Sequence, residues 1–573
     1  MTVYRPDIVG REYAIAAGHY LAAEAGFKIL NAGGNAIDAG VAAGFALGVL
    51  QSDIVNVAGV APMMIWLAEQ QKIVNIDGLG TWPATMPEDY FLKNHDSQIP
   101  IGILRTIIPA APASWLTALE LYGTMSFADV AKAAISFARD GFPMYPLMSE
   151  YIVENEKTYR SWPSNAAIYL PNDRPPQPGE LFIQEDLGRS LQYMADEEAT
   201  RSTQGRESGI RAARDAFYKG DIAKAITDYH SEHGGFLTTK DLASFEVRFE
   251  PTVQAHFGDI DIHCCGPWSQ GPSLAQALTL LKTAGLEDLE HNSIPYIHRA
   301  AEALKLAFAD REAYIGDPDF NNVPIEELLS ERYAEQRAAL IDPARAWPEM
   351  PPPGDPRNGA AVLNEEAPKR DASVGEPPLH DTSYVGVIDK EGNAFSATPS
   401  DVSRFTPVIP GTGLCPSERG SQSWADPTHP AGVAPGKRPR LTPNPAIALK
   451  DGRPFLVFGS PGADVQIQAM AQVFLNIVCF GMTVQEAVEA PRFATFSFPA
   501  TFAPHNYFPG RLNLESRFPQ KTGEALAALG HKVEWWPELT WRAGGVCAIL
   551  RDFESGLLHT GADPRRMCYA LGW

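Results

Sequence analysis

The sequence predicts an α+β fold in which helices pack on sheets. Three stretches carry the prediction. In residues 384–398, Tyr384, Val385, Val387 and Ile388 favour a strand, Lys390-Glu391-Gly392-Asn393 supplies turn chemistry, and 394–398 reads as the returning strand of a hairpin. Residues 19–30 place Leu21, Ala25 and Ile29 on one helical face; Gly33-Gly34 ends that helix, and Asn35 is placed to cap a second one over 36–50. Residues 298–314 carry Ala300, Leu304, Ala307 and Phe308 at helical spacing, the pattern of a core-facing helix.

In chain order, Ile54 to Met63 follows the helix pair as a strand expected near the functional site, and Val74 to Ala84 contains Leu79. Segments 107–125 and 138–142 read as helices on a sheet. From about 342 to 380 the character changes: Pro351-Pro352-Pro353-Gly354 and Gly375-Glu376-Pro377-Pro378 interrupt any hydrophobic period, so a mobile leader is expected there. No internal repeat is present.

Composition narrows the function. Hydrophobic residues at 45% and charged residues at 20% describe an ordinary globular chain. Net charge is 47 − 69 = −22, which argues against nucleic acid or an anionic membrane as partner, since both demand Lys/Arg patches. The six cysteines, among them the adjacent Cys264 and Cys265, lack metal-ligand spacing and are too few for a disulfide scaffold. Residues 1–7 contain no apolar signal region and no apolar run reaches membrane-spanning length, so a cytoplasmic location is expected.

The chemistry centres on Thr382, which opens the hairpin directly after the Pro-rich leader. Cutting the Asp381–Thr382 bond would give Thr382 a free α-amine beside its hydroxyl. Such an amine titrates at roughly 7.7–8.0, so nucleophile and base would sit on one residue. Taken alone, the stretch reads better as an ordinary edge hairpin that contains a threonine, a residue common in strands. Period two sets Thr398, Ser400 and Val402 on one face of the returning strand. Gly459-Ser460-Pro461-Gly462-Ala463 offers successive backbone N–H groups for an oxyanion, although alone it is a turn.

Asp381-Thr382-Ser383, followed by Val387-x-Asp389-x-x-Gly392-Asn393-Ala394-x-Ser396, resembles the nucleophile segment of the γ-glutamyltransferase family. Gly34-Asn35-Ala36-Ile37-Asp38-Ala39, Phe217-Tyr218-Lys219-Gly220 and Ala490-Pro491-Arg492-Phe493 resemble further landmarks of that family, in order, along essentially the whole chain. The resemblance implies a four-layer αββα sandwich of the N-terminal-nucleophile hydrolase type. It implies a large subunit, 1–381, and a small one, 382–573, cut from one precursor and sharing one core, with higher assembly left open. It implies no metal and no cofactor. It assigns Thr382 as nucleophile, Ser400 as its supporting hydroxyl, and Gly462 and Ala463 as oxyanion donors, Ala463 standing where relatives carry glycine.

The substrate positions depart from the pattern. Leu79 stands where γ-glutamyl-specific relatives carry an arginine for the substrate carboxylate, and leucine offers no donor. Val402 replaces an asparagine, Leu441-Thr442 a Ser-Ser pair, and the loop with Arg419, Gln422 and Trp424 an Asn-rich one. Arg404, Arg419 and Arg440 are candidate anion anchors, each equally readable as a surface charge. These departures point to a small amide as substrate: oxamate-type, or an N-acyl amide lined by Leu79, Leu441 and Trp424. The alternatives are γ-glutamyl transfer or glutathione hydrolysis, and a non-catalytic homologue.

Overall fold

A computed structural model describes residues 3–363, 370–376 and 381–573. Pro377, Pro378 and His380 of the expected leader and hairpin entry lie outside them. The hairpin forms as expected: Val385–Ile388 pairs antiparallel with Ala394–Ala397, Val385 opposite Ala397. Its turn depends on Gly392, whose φ of 86° is open to glycine at little cost. Asp389 accepts from the Asn393 N–H (2.8 Å) and side-chain amide (2.9 Å), and from the Ala36 N–H at 2.9 Å. The acidic residue of the motif therefore ties the hairpin to a helix N-terminus.

Two antiparallel sheets are built around that hairpin. One contains, in spatial order, Tyr569–Gly572, Ala14–Ala17, Val385–Ile388, Ala394–Ala397, Met63–Leu67 and Lys72–Ile76. The other contains Ile8–Gly10, Leu558–Ala562, Cys547–Arg551, Arg453–Gly459, Ala446–Lys450, Ile260–Cys264 and Val253–Phe257. Strand alternation separates the layers. Ile15, Ile65, Val387 and Phe395 join the helices Tyr20–Asn31, Ala36–Leu50 and Ala111–Tyr122 in one core. Ala16, Met64, Trp66, Ile447, Val457 and Ile549 fill the space between the sheets. Ile262, Ala448 and Phe458 face the helices Gly271–Thr283, Ile294–Tyr314 and Gln466–Val478. The result is a four-layer αββα sandwich, because both faces of each central strand are apolar.

The helix pair matches its expected bounds. Asn35 accepts from the Ile37 and Asp38 N–H groups, and Asp38 returns a bond to the Asn35 N–H, a capping box. The first helix is rotated from its expected face: Ala22, Ala23, Ala25, Gly26 and Leu30 are buried, while Leu21 and Ile29 sit at the rim. Small residues there allow close approach to the second helix. The expected strand from Ile54 to Met63 is instead a turn-rich loop that becomes extended at Val60, where Val60 and Ser400 exchange backbone bonds of 3.1 and 3.0 Å, and enters a strand at Met63. The described part of the Pro-rich leader has little regular structure and lies against the body. Gly354 N–H reaches Asp310, Arg337 reaches Pro352 O and Ala361 O, and Arg511 reaches Gly375 O and Glu376.

Candidate active site

Thr382 enters the central strand of the six-stranded sheet and is 1% exposed. Residues 382 and 400 form an antiparallel bridge, which brings the Ser400 hydroxyl 2.8 Å from Thr382 Oγ1. Beyond that bridge the expected alternation stops. Asp401 has φ of 152°, rare for a residue with a side chain, and the chain turns away. Val402 consequently packs with Val408, Ile409, Leu414 and Cys415 in the core under the helices, not beside Ser400. Thr398 donates its N–H to Pro62 O and is fully buried.

The carbonyl of Asp381 is the focus of the polar contacts. Ser400 Oγ donates to it at 2.9 Å and Arg419 Nη2 at 3.3 Å, while Arg419 also donates to Ser400 Oγ at 2.5 Å. Asp381's carboxylate takes Arg566 Nη1 at 2.5 Å on one oxygen and the Thr382 N–H at 2.9 Å on the other. One cation and a hydroxyl thus hold the carbonyl of this peptide bond, and a second cation holds the side chain of the residue before it. Around it lie Asp53, Asp401, Glu418, Arg105 and Arg404, all buried. Burial pushes the Asp401 carboxyl up to about 7, with Arg419 opposing and Glu418 reinforcing. Burial brings the Arg404 guanidinium down to about 9.

Asp53 is likewise raised to about 7, by burial and then by repulsion from Asp381. A carboxyl with a raised folded pKa stabilises the fold fully below its unfolded value near 3.9, and that contribution is lost as pH rises toward 7. Asp53→Asn, which never ionises, is therefore expected to flatten the decline in melting temperature between pH 5 and pH 8. Thermal scans of both proteins at those two values check this; parallel declines would refute it.

The predicted oxyanion stretch lies beside the threonine. Gln466 accepts from Thr382 Oγ1 at 3.3 Å and donates to Ser460 O (3.2 Å) and Thr442 O (3.1 Å). Among the described residues, neither the Gly462 nor the Ala463 N–H has a hydrogen-bond partner. Ala463 holds φ of 51°, a left-handed conformation costing a non-glycine residue roughly 1–2 kcal/mol. Strain beside two free, buried donors suits a preorganised oxyanion cradle.

Of the expected substrate positions, Gln422 and Thr442 meet through a 2.9 Å side-chain hydrogen bond. Leu79 and Leu441 are 1% and 0% exposed and pack with Trp82 and Trp268 in the core between the sheets. Trp424 stacks on His505 at 3.7 Å. None of the three arginines is a surface charge. Arg440 is spent on Glu312 (2.6 Å) and on the carbonyls of Arg311 and Ile315. Arg404 lies over the Tyr151 and Phe405 rings. Of the three, Arg419 is the one that meets the carbonyl preceding the threonine and the Ser400 hydroxyl beside it. Sequence reasoning missed Gln466, Asp53, Asp401 and Arg566. Nothing local to Arg566 marks its partner, which lies 185 residues away.

An αββα sandwich with a buried threonine at the start of a central strand, beside free backbone donors, defines the N-terminal-nucleophile hydrolase class. The comparisons agree. A family model described as Gamma-glutamyltranspeptidase matches residues 22–573, and the chain belongs to that family. It is an enzyme of the γ-glutamyltransferase type, an amidohydrolase. The Acylase ACY 1 proenzyme of Pseudomonas sp. (strain SE83) is 33% identical over 94% of this chain and 90% of its own. The Glutathione hydrolase-like YwrD proenzyme of Bacillus subtilis (strain 168) is 30% identical over 99% of each. The crystal structure of cephalosporin acylase from Bacillus halodurans superposes with a TM-score of 0.86 at 26% identity, covering 100% of this chain and 98% of that one. No helix among the described residues is long and apolar enough to cross a membrane.

Proposed function

We propose that the chain cuts its own Asp381–Thr382 bond and then hydrolyses a small amide with Thr382 as nucleophile. The observation that carries this reading is the pair of donors, Ser400 and Arg419, on the carbonyl preceding Thr382. In the cut, Thr382 Oγ adds to the Asp381 carbonyl carbon. Negative charge develops on the oxygen already held by those donors. The C–N bond breaks, the hydroxyl proton passes to the departing nitrogen, and an ester remains. Water then cleaves the ester, leaving a carboxyl on Asp381 and a free amine and hydroxyl on Thr382.

In turnover the freed amine takes the hydroxyl proton as Oγ attacks the substrate carbonyl. The oxyanion is received by the Gly462 and Ala463 N–H groups. The amine then protonates the leaving nitrogen, and water releases the acid. The mature protein is a heterodimer of residues 1–381 and 382–573, acting in the cytoplasm without cofactor. An oxamate-type substrate is favoured because Leu79 and Leu441 are consumed by the core, which leaves little apolar lining for a large acyl group. The likeness to a cephalosporin acylase supports a second reading, in which an N-acyl amide is cut.

Purified wild-type protein on a denaturing gel tests the first step. Two bands are expected, the smaller of 573 − 381 = 192 residues and beginning Thr-Ser-Tyr-Val. A panel of oxamate, an N-acyl amide and a γ-glutamyl anilide tests the second. A single full-length band with no turnover of any of the three would sink the reading.

A further inference from the structure

The turn bearing the free amide pair is held from behind by side chains outside it. Gly462 has φ of 116° and Ala463 of 51°. Glycine adopts such values at little cost, whereas alanine keeps them only where its surroundings enforce them. Within the turn, the Val465 N–H donates to Gly462 O at 2.9 Å and the Gln466 N–H donates to Ala463 O. These bonds belong to a three-residue 3₁₀ turn, Ala463–Val465, a type whose hydrogen-bond geometry is poor. The enforcement comes from farther away.

Gln270 Nε2 donates to Ala463 O at 3.1 Å and to Thr442 O at 2.7 Å. The next residue, Asp464, is anchored harder. One of its carboxylate oxygens takes Arg311 Nη1 and Thr501 Oγ1, each at 2.5 Å, and the other takes the Thr501 N–H at 2.9 Å. Charge-assisted bonds of this kind are roughly twice as strong as neutral ones. Arg311 is in turn fixed on several sides. It is fully buried, donates to Pro499 O at 3.1 Å and to Glu312 at 3.2 Å, and lies over the Phe308 and Phe498 rings at 4.5 and 5.2 Å. Asp464 thus ties the turn, delivered by strand Arg453–Gly459, to the helix Ile294–Tyr314 and to the segment around Thr501.

Resting on the reading that turnover receives the substrate oxyanion on the Gly462 and Ala463 N–H groups, we infer that Asp464, anchored by Arg311 and Thr501, is a positioning residue that keeps Ala463 left-handed and both N–H groups aimed at the substrate carbonyl. The alanine makes the anchor necessary: glycine would take this φ unaided, whereas alanine released from the anchor would relax and turn an N–H away. The anchor serves turnover and not the cut. In the cut, the developing charge falls on the Asp381 carbonyl oxygen, which Ser400 and Arg419 hold.

The test is Asp464→Asn in the full chain, which keeps the shape but loses the charge that Arg311 meets. On the amide that wild type turns over, kcat should fall about 10- to 100-fold, less than the loss of a whole oxyanion donor, with KM changed by less than about twofold. The half-time of the 381/382 cut should stay at the wild-type value. Adding Ala463→Gly to the same chain should return most of the lost kcat, because glycine takes the left-handed φ without strain. A merely structural role would slow cut and turnover together and would not be rescued by glycine. Should Asp464→Asn fail to fold, Thr501→Val takes its place. It keeps the ion pair and removes one hydrogen bond to Asp464, so kcat should drop about three- to tenfold with the cut again unchanged. Wild-type kcat in the folded variant, or cut and turnover slowed in equal proportion, would overturn the positioning role while leaving the self-cleaving amidohydrolase intact. An uncut wild type that turns over no amide would remove both.

Discussion

Thr382→Ala yields a single full-length chain and amide turnover lower by at least about 10⁴-fold. The magnitude follows from removing a nucleophile that acts as a unit with its base, as in other covalent hydrolases. Alanine abolishes the attack on Asp381 and so also the α-amine that would serve turnover. The loss is therefore double, and no downstream substitution should worsen it. Thr382→Ser separates chemistry from packing. Serine keeps Oγ within reach of Ser400 and Gln466 but drops the methyl group that locks χ1 of a β-branched residue. It should still cut, more slowly, because more rotamers compete with the productive one. Intact-mass measurement over time reads the cut, and initial rates on oxamate read turnover. Cleavage at 381/382 in the alanine variant would show that another group performs the attack.

Arg419→Met slows cleavage by about 100- to 1,000-fold, the range for losing one oxyanion donor in a buried site. Arg419 donates to the scissile carbonyl and to Ser400, so its removal leaves the developing oxyanion with Ser400 alone. The substitution also removes the cation 3.8 Å from Asp401 and 4.0 Å from Glu418, leaving Glu418 with Arg105 at 3.4 Å, a change that destabilises a buried network. Arg419→Lys keeps the charge as a single point and should recover part of the rate. The half-time of band conversion after purification measures the effect, and near-UV circular dichroism confirms that the variant is folded. A folded Arg419→Met chain that cuts at the wild-type rate would remove Arg419 from the processing step.

The residues legible in the sequence are those whose role is local. Asn35 caps its helix through bonds two and three residues on, and Gly392 is required by its own φ. Thr382 was recognisable because a threonine between a Pro-rich leader and a strand, in a family-like order of residues, is a local pattern. Strand periodicity set Ser400 on one face with Thr398, and the family resemblance, not the periodicity, tied it to Thr382. Val402 did not, since one unusual φ at Asp401 redirects the chain and no periodic rule anticipates it. Leu79 and Leu441 were read as pocket lining, whereas burial between the sheets makes them core.

By itself, the sequence determined the hairpin, the bounds of the helix pair and the identity of the candidate nucleophile, because turn residues, caps and short motifs act over a few residues. Only the tertiary structure decided which cations meet Asp381. Arg419 lies 38 residues from it and Arg566 lies 185. Contacts across such separations depend on how two sheets stack, and desolvation in that stack makes a guanidinium there a partner for one buried carbonyl or carboxylate.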